Sequence, residues 1–219
     1  MISAAEVADR LGALRDRLSR AGGGQVKVVA VTKGFGPDAV AAAIEAGLAD
    51  IGENYAQELL AKAGDLSNQP DAALQPCWHF IGRLQRNKIR KIASLVHLWQ
   101  SVDRPELAAE IARRAPGAQV LVQVDIAGMG GRGGCAPEDT AGLVQHCRDA
   151  GLEVAGLMAV GSPGPPEEAR SGFRLLASQA EDLGLAELSM GMTDDMEVAV
   201  EEGATMVRVG TALFGPRPS

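Results

Sequence analysis

The sequence predicts an α/β fold, a single closed (β/α)8 barrel of the TIM type with an extra N-terminal helix. Three observations point there. Eight short apolar runs rich in Val, Ile and Leu recur along the 219 residues, and a helical pattern lies between every consecutive pair. The alternation never gives way to a block of strands or a block of helices, which implies a parallel sheet. Eight repeats without a topological break favour closure into a barrel over an open doubly wound sheet. The chain is short against the roughly 250 residues typical of such barrels, so its loops must be tight.

The elements follow in order. Val7, Leu11, Leu14 and Leu18 fall on one face of an amphipathic N-terminal helix, which Gly22–Gly23–Gly24 ends. Arg10, Arg15, Arg17 and Arg20 crowd this helix, but Glu6, Asp9 and Asp16 interleave with them, whereas transit peptides are poor in acids. Residues 1–22 are therefore read as a helix that caps the barrel floor, and 26–215 as the barrel of one domain. The first strand lies in Val26 to Gly34, VKVVAVTKG, and breaks off in Thr32–Lys33–Gly34. Pro37 opens a helix to about Ala46, closed by Gly47, the expected placing of Pro early and Gly late. A short strand at Asp50–Gly52 ends in Glu53–Asn54–Tyr55, a helix runs from about Ala56 to Ala63, and residues 64–76 read as a loop.

Cys77–Ile81 is the third strand, closed by Gly82 and followed by a basic helix with Arg83, Arg86, Lys88, Arg90 and Lys91. His97–Val102 is a strand and Pro105 to Arg114 a helix; Gln119–Ile126 is the strongest strand, with Pro137–Ala150 the helix after it. Leu152–Val160 is a strand, and the GSPGPP loop leads to a helix ending near Gly184. Glu187–Met190, a helix over Thr193–Glu202, and the strand Thr205–Val209 complete the barrel, with Gly210 and a short tail behind.

Bulk properties narrow the function. Hydrophobic residues at 46% and charged residues at 22% are ordinary for a globular protein. A net charge of −7 argues against a general nucleic-acid surface. Cys77, Cys135 and Cys147 are odd in number and unclustered, which fits a reducing compartment, and no apolar run approaches the roughly 18 residues of a membrane span. The expectation is a cytoplasmic protein with no nucleic-acid or membrane partner, a monomer or else a dimer.

In a barrel the strand exits converge on one mouth, so the residues there are the candidates for chemistry. They are Lys33, Asn54 with Glu53 and Tyr55, His79, Asp125, Met158, the segment Ser189 to Thr193, and the segment Arg208 to Thr211. A lysine half-buried among apolar neighbours is disfavoured as the ammonium, and its neutral amine can attack a carbonyl; the alternative is a lysine whose stem lies on the surface with its head in water. The exits of strands seven and eight are where barrels frequently bind phosphate. Gly191 lets a backbone come close, Thr193 can cap the next helix, and Gly210–Thr211 adds a bare backbone and a hydroxyl. A plain capped helix is the alternative. Asp194 and Asp195 would repel an anion and are expected to point away. Arg208, inside the apolar run MVRVG, needs a partner, either a structural ion pair or a bound ligand.

Two further features count for less. Gly128, Gly130 and Gly133 match a dinucleotide fingerprint in spacing, but Arg132 to Ala136 intervene before any helix, and Glu153 begins the next strand where the fingerprint wants an acid at its end. This reads instead as a flexible mouth loop carrying Arg132. The basic stretch 83–91 lacks interleaved aromatics and reads as a solvated helix face. The histidines and cysteines show no metal-ligand spacing.

VAVTK, IGENYAQE, WHFIGRLQRNK, GLMAV and LSMGMTDDMEVAVEEGATMVRVGTALFG together resemble the YggS/PROSC family of pyridoxal phosphate homeostasis proteins, over residues from about 26 to the C-terminus. The resemblance implies a barrel like the N-terminal domain of alanine racemase, with pyridoxal 5′-phosphate (PLP) at its mouth. It implies Lys33 as the Schiff-base lysine, and Ser189, Met192, Thr193, Gly210 and Thr211 as the phosphate segments. Arg208 would face the pyridine nitrogen, and Asn54, His79 and Met158 would be further cofactor contacts. An arginine there weakens the ring as an electron sink, because enzymes that use the full sink commonly place a carboxylate at that nitrogen. The implied function is carriage or buffering of PLP in its intracellular homeostasis, without efficient catalysis and with PLP-dependent apoenzymes as possible recipients. Relatives often carry a Lys-Ser-Gly-like segment where Gly131–Arg132–Gly133–Gly134 stands here, and Asn where Asp125 stands. Two other readings stay open: a small PLP-dependent amino-acid racemase with His79 as its second acid/base group, and a phosphosugar barrel enzyme in which Lys33 attacks a substrate carbonyl.

Overall fold

The eight apolar runs form β1 (Lys27–Val31), β2 (Asp50–Glu53), β3 (Cys77–Phe80), β4 (Val96–Val102), β5 (Gln119–Val124), β6 (Glu153–Ala159), β7 (Glu187–Ser189) and β8 (Met206–Val209) in the computed structural model, which describes residues 2–67, 76–129 and 131–217. Every neighbouring pair is parallel, and β1 pairs with β8, Lys27 opposite Met206 and Val29 opposite Arg208, so the sheet closes. Burial on both faces explains why the strands read as continuous apolar runs.

Side chains alternate between two environments. Val28, Ala30, Ile51, Val122 and Val207 join the large cluster between sheet and helices, while Val29, Leu98, Leu121, Met158 and Met206 pack together as a separate cluster. This second cluster fills the barrel interior, as the period of two requires.

The outer ring consists of α2 (Pro37–Glu45), α3 (Ala56–Ser67), α4 (Arg86–Ile92), α5 (Pro105–Arg114), α6 (Thr140–Asp149), α7 (Arg170–Asp182) and α8 (Met196–Glu201), one after each of the first seven strands. Behind β8 stands only the one-turn α9 (Thr211–Phe214), where a bare tail was expected. The eighth place in the ring is taken by α1 (Ala4–Arg20), which packs against α2, α8 and α9. The N-terminal helix thus closes the side of the barrel rather than its floor, because the short α9 leaves that flank of the sheet open. Val7, Leu11, Leu14 and Leu18 are buried there, and each such side chain contributes roughly 1.5–3 kcal/mol. A capping box between Ser3 and Glu6 starts the helix.

Other boundaries shift. The α3 helix runs to Ser67, four residues past the expected end, and residues 68–75 of the expected loop lie outside those described. The α8 helix begins at Met196, with Asp195 and not Thr193 in the capping position. Among the described residues no helix is long and apolar enough to cross a membrane, and no group of three or more His, Cys, Asp or Glu could hold a metal ion.

Candidate functional site

The strand exits surround a cavity of about 1090 Å³ at the C-terminal end of the barrel, ample for a small-molecule ligand. Lys33, Asn54, Met192, Thr193, Arg208, Gly210 and Thr211 all line it. Lys33 sits in the turn after β1, where the Phe35 amide donates to the Thr32 carbonyl. Burial pushes its pKa down, and the Arg217 and Arg208 charges push the same way against Glu53 and Glu58. The amine is therefore easier to deprotonate than an exposed lysine. The Asn54 side-chain oxygen, Oδ1, is buried with no hydrogen-bond partner among the described residues. Asn54 and Gly82 touch so closely that a Cβ at Gly82 would lie 2.1 Å from the Asn54 carbonyl oxygen. Only glycine permits this approach of the β2 and β3 exits.

Arg208 projects from β8 and is buried. Its Nη1 donates to the Ser189 carbonyl at 2.6 Å and to Ser189 Oγ at 2.8 Å, and its Nη2 donates to the Ala159 carbonyl at 2.7 Å. Nη2 has two hydrogens, so one remains beyond that bond. Burial lowers the guanidinium pKa to about 10, with Asp195 opposing, which leaves it charged at neutral pH.

Three expected cofactor contacts lie elsewhere. Ser189 is fully buried and does not line the cavity; its hydroxyl donates to Gln100 Oε1 at 2.7 Å while accepting from Arg208. His79 lies inside the barrel, with Nδ1 2.7 Å from Gln100 Nε2 and Nε2 2.9 Å from Asp50 Oδ1. Since Asp50 is the first residue of β2, the ring is turned toward the floor and away from the mouth. Met158 packs in the interior apolar cluster, and it is Val160, two residues on, that reaches the cavity. All three sit too deep along the barrel axis.

The bonds through His79 and Ser189 form one directional chain. Arg208 donates to Ser189, Ser189 to Gln100, and Gln100 through its amide nitrogen to His79 Nδ1. His79 must then carry its proton on Nε2 and donate to Asp50. The orientation of Arg208 is thus fixed across the whole barrel interior.

On the opposite wall, Gly191 has φ +90°, and a Cβ there would stand 2.6 Å from the Ala199 side chain. This tight turn brings Met192 and Thr193 to the cavity. Asp195 does not line the cavity: it is buried, and its Oδ1 accepts from the Met192 amide at 2.6 Å. Burial pushes its pKa up, against that bond and the Arg208 charge. Asp194, also expected to point away, lines the cavity. The Thr193 carbonyl accepts from Arg17 of α1, so the N-terminal helix supports this wall.

Sequence reasoning missed most of the cations. Arg83, Lys88, Arg104, Arg132 and Arg217 also line the cavity, against the single carboxylate of Asp194 among the described lining residues. Arg83 and Lys88 belong to the stretch read as a solvated face. Their signal was position: each lies at or soon after a strand exit or in the C-terminal segment. Arg132 lies in the mouth loop as expected. That loop folds back on β5, the Asp125 amide donating to the Cys135 carbonyl and the Cys135 amide to the Gln123 carbonyl. A Cβ at Gly134 would lie 2.6 Å from the Asp125 nitrogen, so the glycines serve a return to the strand and open no helix; Gly130 lies outside the described residues. An amine with a lowered pKa, a ring of cations and an unpartnered amide oxygen suit a small anion that carries a carbonyl group.

The family model of the alanine racemase N-terminal domain matches residues 2–218. The pyridoxal phosphate homeostasis protein of Pseudomonas aeruginosa is 42% identical over 200 residues, covering 88% of this chain and 85% of its own length. Its counterpart in Deinococcus radiodurans is 42% identical over 213 residues, covering 93% and 97%. The structure of PipY from Synechococcus elongatus with PLP bound superposes with a TM-score of 0.80 at 32% identity, over 95% of this chain and 100% of that one.

Proposed function

Because the chain belongs to the alanine racemase N-terminal domain family and, within it, to the pyridoxal phosphate homeostasis proteins, we propose that it binds PLP in the barrel mouth through Lys33 and carries or buffers the cofactor without efficient catalysis. The observation that carries this reading is that Lys33 and Arg208 line one cavity, an amine disfavoured as the ammonium beside a buried guanidinium. PLP supplies an aldehyde that an amine can hold and a pyridine ring that withdraws electrons best when its nitrogen is protonated. Thr193, Gly210 and Thr211, with backbone N–H groups and hydroxyls, would hold the phosphate. Asn54 Oδ1, buried and unpartnered, is an acceptor that the ligand's hydroxyl would satisfy.

Arg208 is the residue that argues against turnover. Its positive charge opposes a proton on the ring nitrogen, where a carboxylate would favour one. His79, the one second acid/base group that the racemase reading offered, is committed to Asp50 and Gln100. The test is to mix the PLP-loaded protein with L-alanine and, separately, with a PLP-dependent apoenzyme. The expected results are no appreciable D-alanine and recovery of apoenzyme activity at the rate at which PLP leaves this chain. Racemisation at about 10 turnovers per second, ordinary for an enzyme, would overturn the proposal.

A further inference from the structure

Under the turn that carries Lys33 lies a buried ionic cluster that is not part of the cavity lining. Lys62 of α3 is only 3% exposed although it stands on an outer helix. Its Nζ donates to Glu53 Oε1 at 2.5 Å, to the Thr32 carbonyl at 2.7 Å and to Glu58 Oε2 at 3.2 Å. Thr32 Oγ1 donates to the same Glu53 oxygen at 2.5 Å, and the Gly34 amide donates to Glu58 Oε2 at 2.8 Å. The residues on either side of Lys33 are therefore both tied to α3, Thr32 through Lys62 and Gly34 through Glu58.

Burial of such a pair is expensive and seldom adds net stability over an apolar pair, so its position beside the reactive amine asks for another reason. Four charges bear on Lys33 from the elements around it. Arg208 of β8 and Arg217 of the C-terminal segment oppose its ammonium form, and Glu53 of β2 and Glu58 of α3 favour it. Lys62 spends its three donors on both carboxylates and the Thr32 carbonyl.

We propose that Lys62 and Glu58 are positioning residues for Lys33: Glu58 fixes the turn that aims the amine, and Lys62 occupies the Glu53 and Glu58 carboxylates so that they do not hold Lys33 as an ammonium. The proposal rests on the reading of Lys33 as the reactive amine and concerns how that amine is kept free. Removing the Lys62 charge leaves uncompensated two anions that both favour the Lys33 ammonium, so its deprotonation moves to higher pH. Removing the Glu58 charge takes away one of the anions that favour the ammonium, so deprotonation moves to lower pH. The two substitutions act in opposite directions, which a merely structural role would not produce.

The experiment needs no cofactor. Protein freed of PLP is methylated with formaldehyde and cyanoborohydride between about pH 6 and pH 10, a span that brackets a lowered lysine, and the label on the Lys33 peptide is read by mass spectrometry. Glu58→Gln should move the midpoint down and Lys62→Met should move it up, each by roughly half a unit to one unit. Lys62→Met with Glu53→Gln, which removes opposite charges together, should lie near the wild type. Since Lys62→Met alone can unfold the chain by stranding buried carboxylates, Glu58→Gln and the double substitution decide the matter by themselves. A Glu58→Gln profile that superimposes on the wild type, or single variants that shift the same way, would overturn the proposal. If the opposed shifts appear but PLP does not attach to Lys33, the tuning stands and the PLP reading fails.

Discussion

Both oxygens of Ser189 hold Arg208, the carbonyl at 2.6 Å and the hydroxyl at 2.8 Å from Nη1, so the guanidinium in the mouth is aimed by a residue that does not line the cavity. Behind Ser189 the chain of bonds continues through Gln100 and His79 to Asp50. Replacing Ser189 by Ala leaves Gln100 Oε1 and one Arg208 hydrogen without this partner inside the barrel. The expected loss of stability is about 1–3 kcal/mol, read from urea unfolding, together with weaker PLP binding in an equilibrium titration. Unchanged affinity in a folded Ser189→Ala protein would show that the orientation of Arg208 does not matter.

The far end of that chain makes a prediction about acid. Burial acts to raise the Asp50 pKa, but the hydrogen bond from His79 and the Lys27 charge oppose it, and the net shift is downward. A carboxyl with a lowered native pKa contributes stability that is present above its unfolded value of about 4 and is lost as pH falls through the native value. Asp50→Asn should therefore lose less stability than the wild type between about pH 4 and pH 2, measured by urea midpoints across that range. Parallel pH profiles would contradict the assignment.

Gly82 tests how the mouth is shaped. An added Cβ would collide with Asn54 backbone, which cannot rotate away as a side chain could. Gly82→Ala should cost about 1–3 kcal/mol and displace Asn54, lowering PLP affinity as well as the unfolding midpoint. A variant with normal affinity and stability would mean that the two exits separate easily.

Arg83 and Lys88 line the cavity and have no ion pair or side-chain hydrogen bond among the described residues. On a chain of net charge −7, such free cations set a local field that attracts a phosphorylated ligand. Replacing both with Ser should slow PLP association by roughly tenfold at low salt, with little change in dissociation, and the difference should shrink as salt is added. Stopped-flow mixing at two ionic strengths reads this; an unchanged association rate at low salt would contradict it.

What the sequence revealed, and what it hid, divides along the distance over which each feature is determined. Strand runs, helix starts at Pro37 and Pro105 and the exit positions of Lys33, Arg208, Gly210 and Thr211 are local patterns, and they were legible. Depth along the barrel axis is not local. His79 and Met158 lie on the correct strands and point inward, yet the register of closure places them below the cavity. Lys62 follows a helical pattern that suggests solvent, and only the packing of α3 over the β1 and β2 exits buries it against Glu53. The cations of the mouth come from separate loops, so their convergence exists only once the barrel has closed. Thr193 misses the cap because α8 begins only at Met196, and the Asp195 carboxylate at that position accepts from the Met192 amide in the preceding turn and not from the helix.

Lys33 is proposed as the amine that holds PLP, and one measurement reads this directly. The visible absorption of the PLP-loaded protein should be recorded before and after borohydride, and the reduced cofactor mapped by peptide mass spectrometry, in the wild type and in Lys33→Ala. The expected result is a band that borohydride abolishes, a label on the Lys33 peptide alone, and neither in the variant. A label on Lys62, Lys88 or another lysine in the wild type, or an undiminished band in Lys33→Ala, would contradict it.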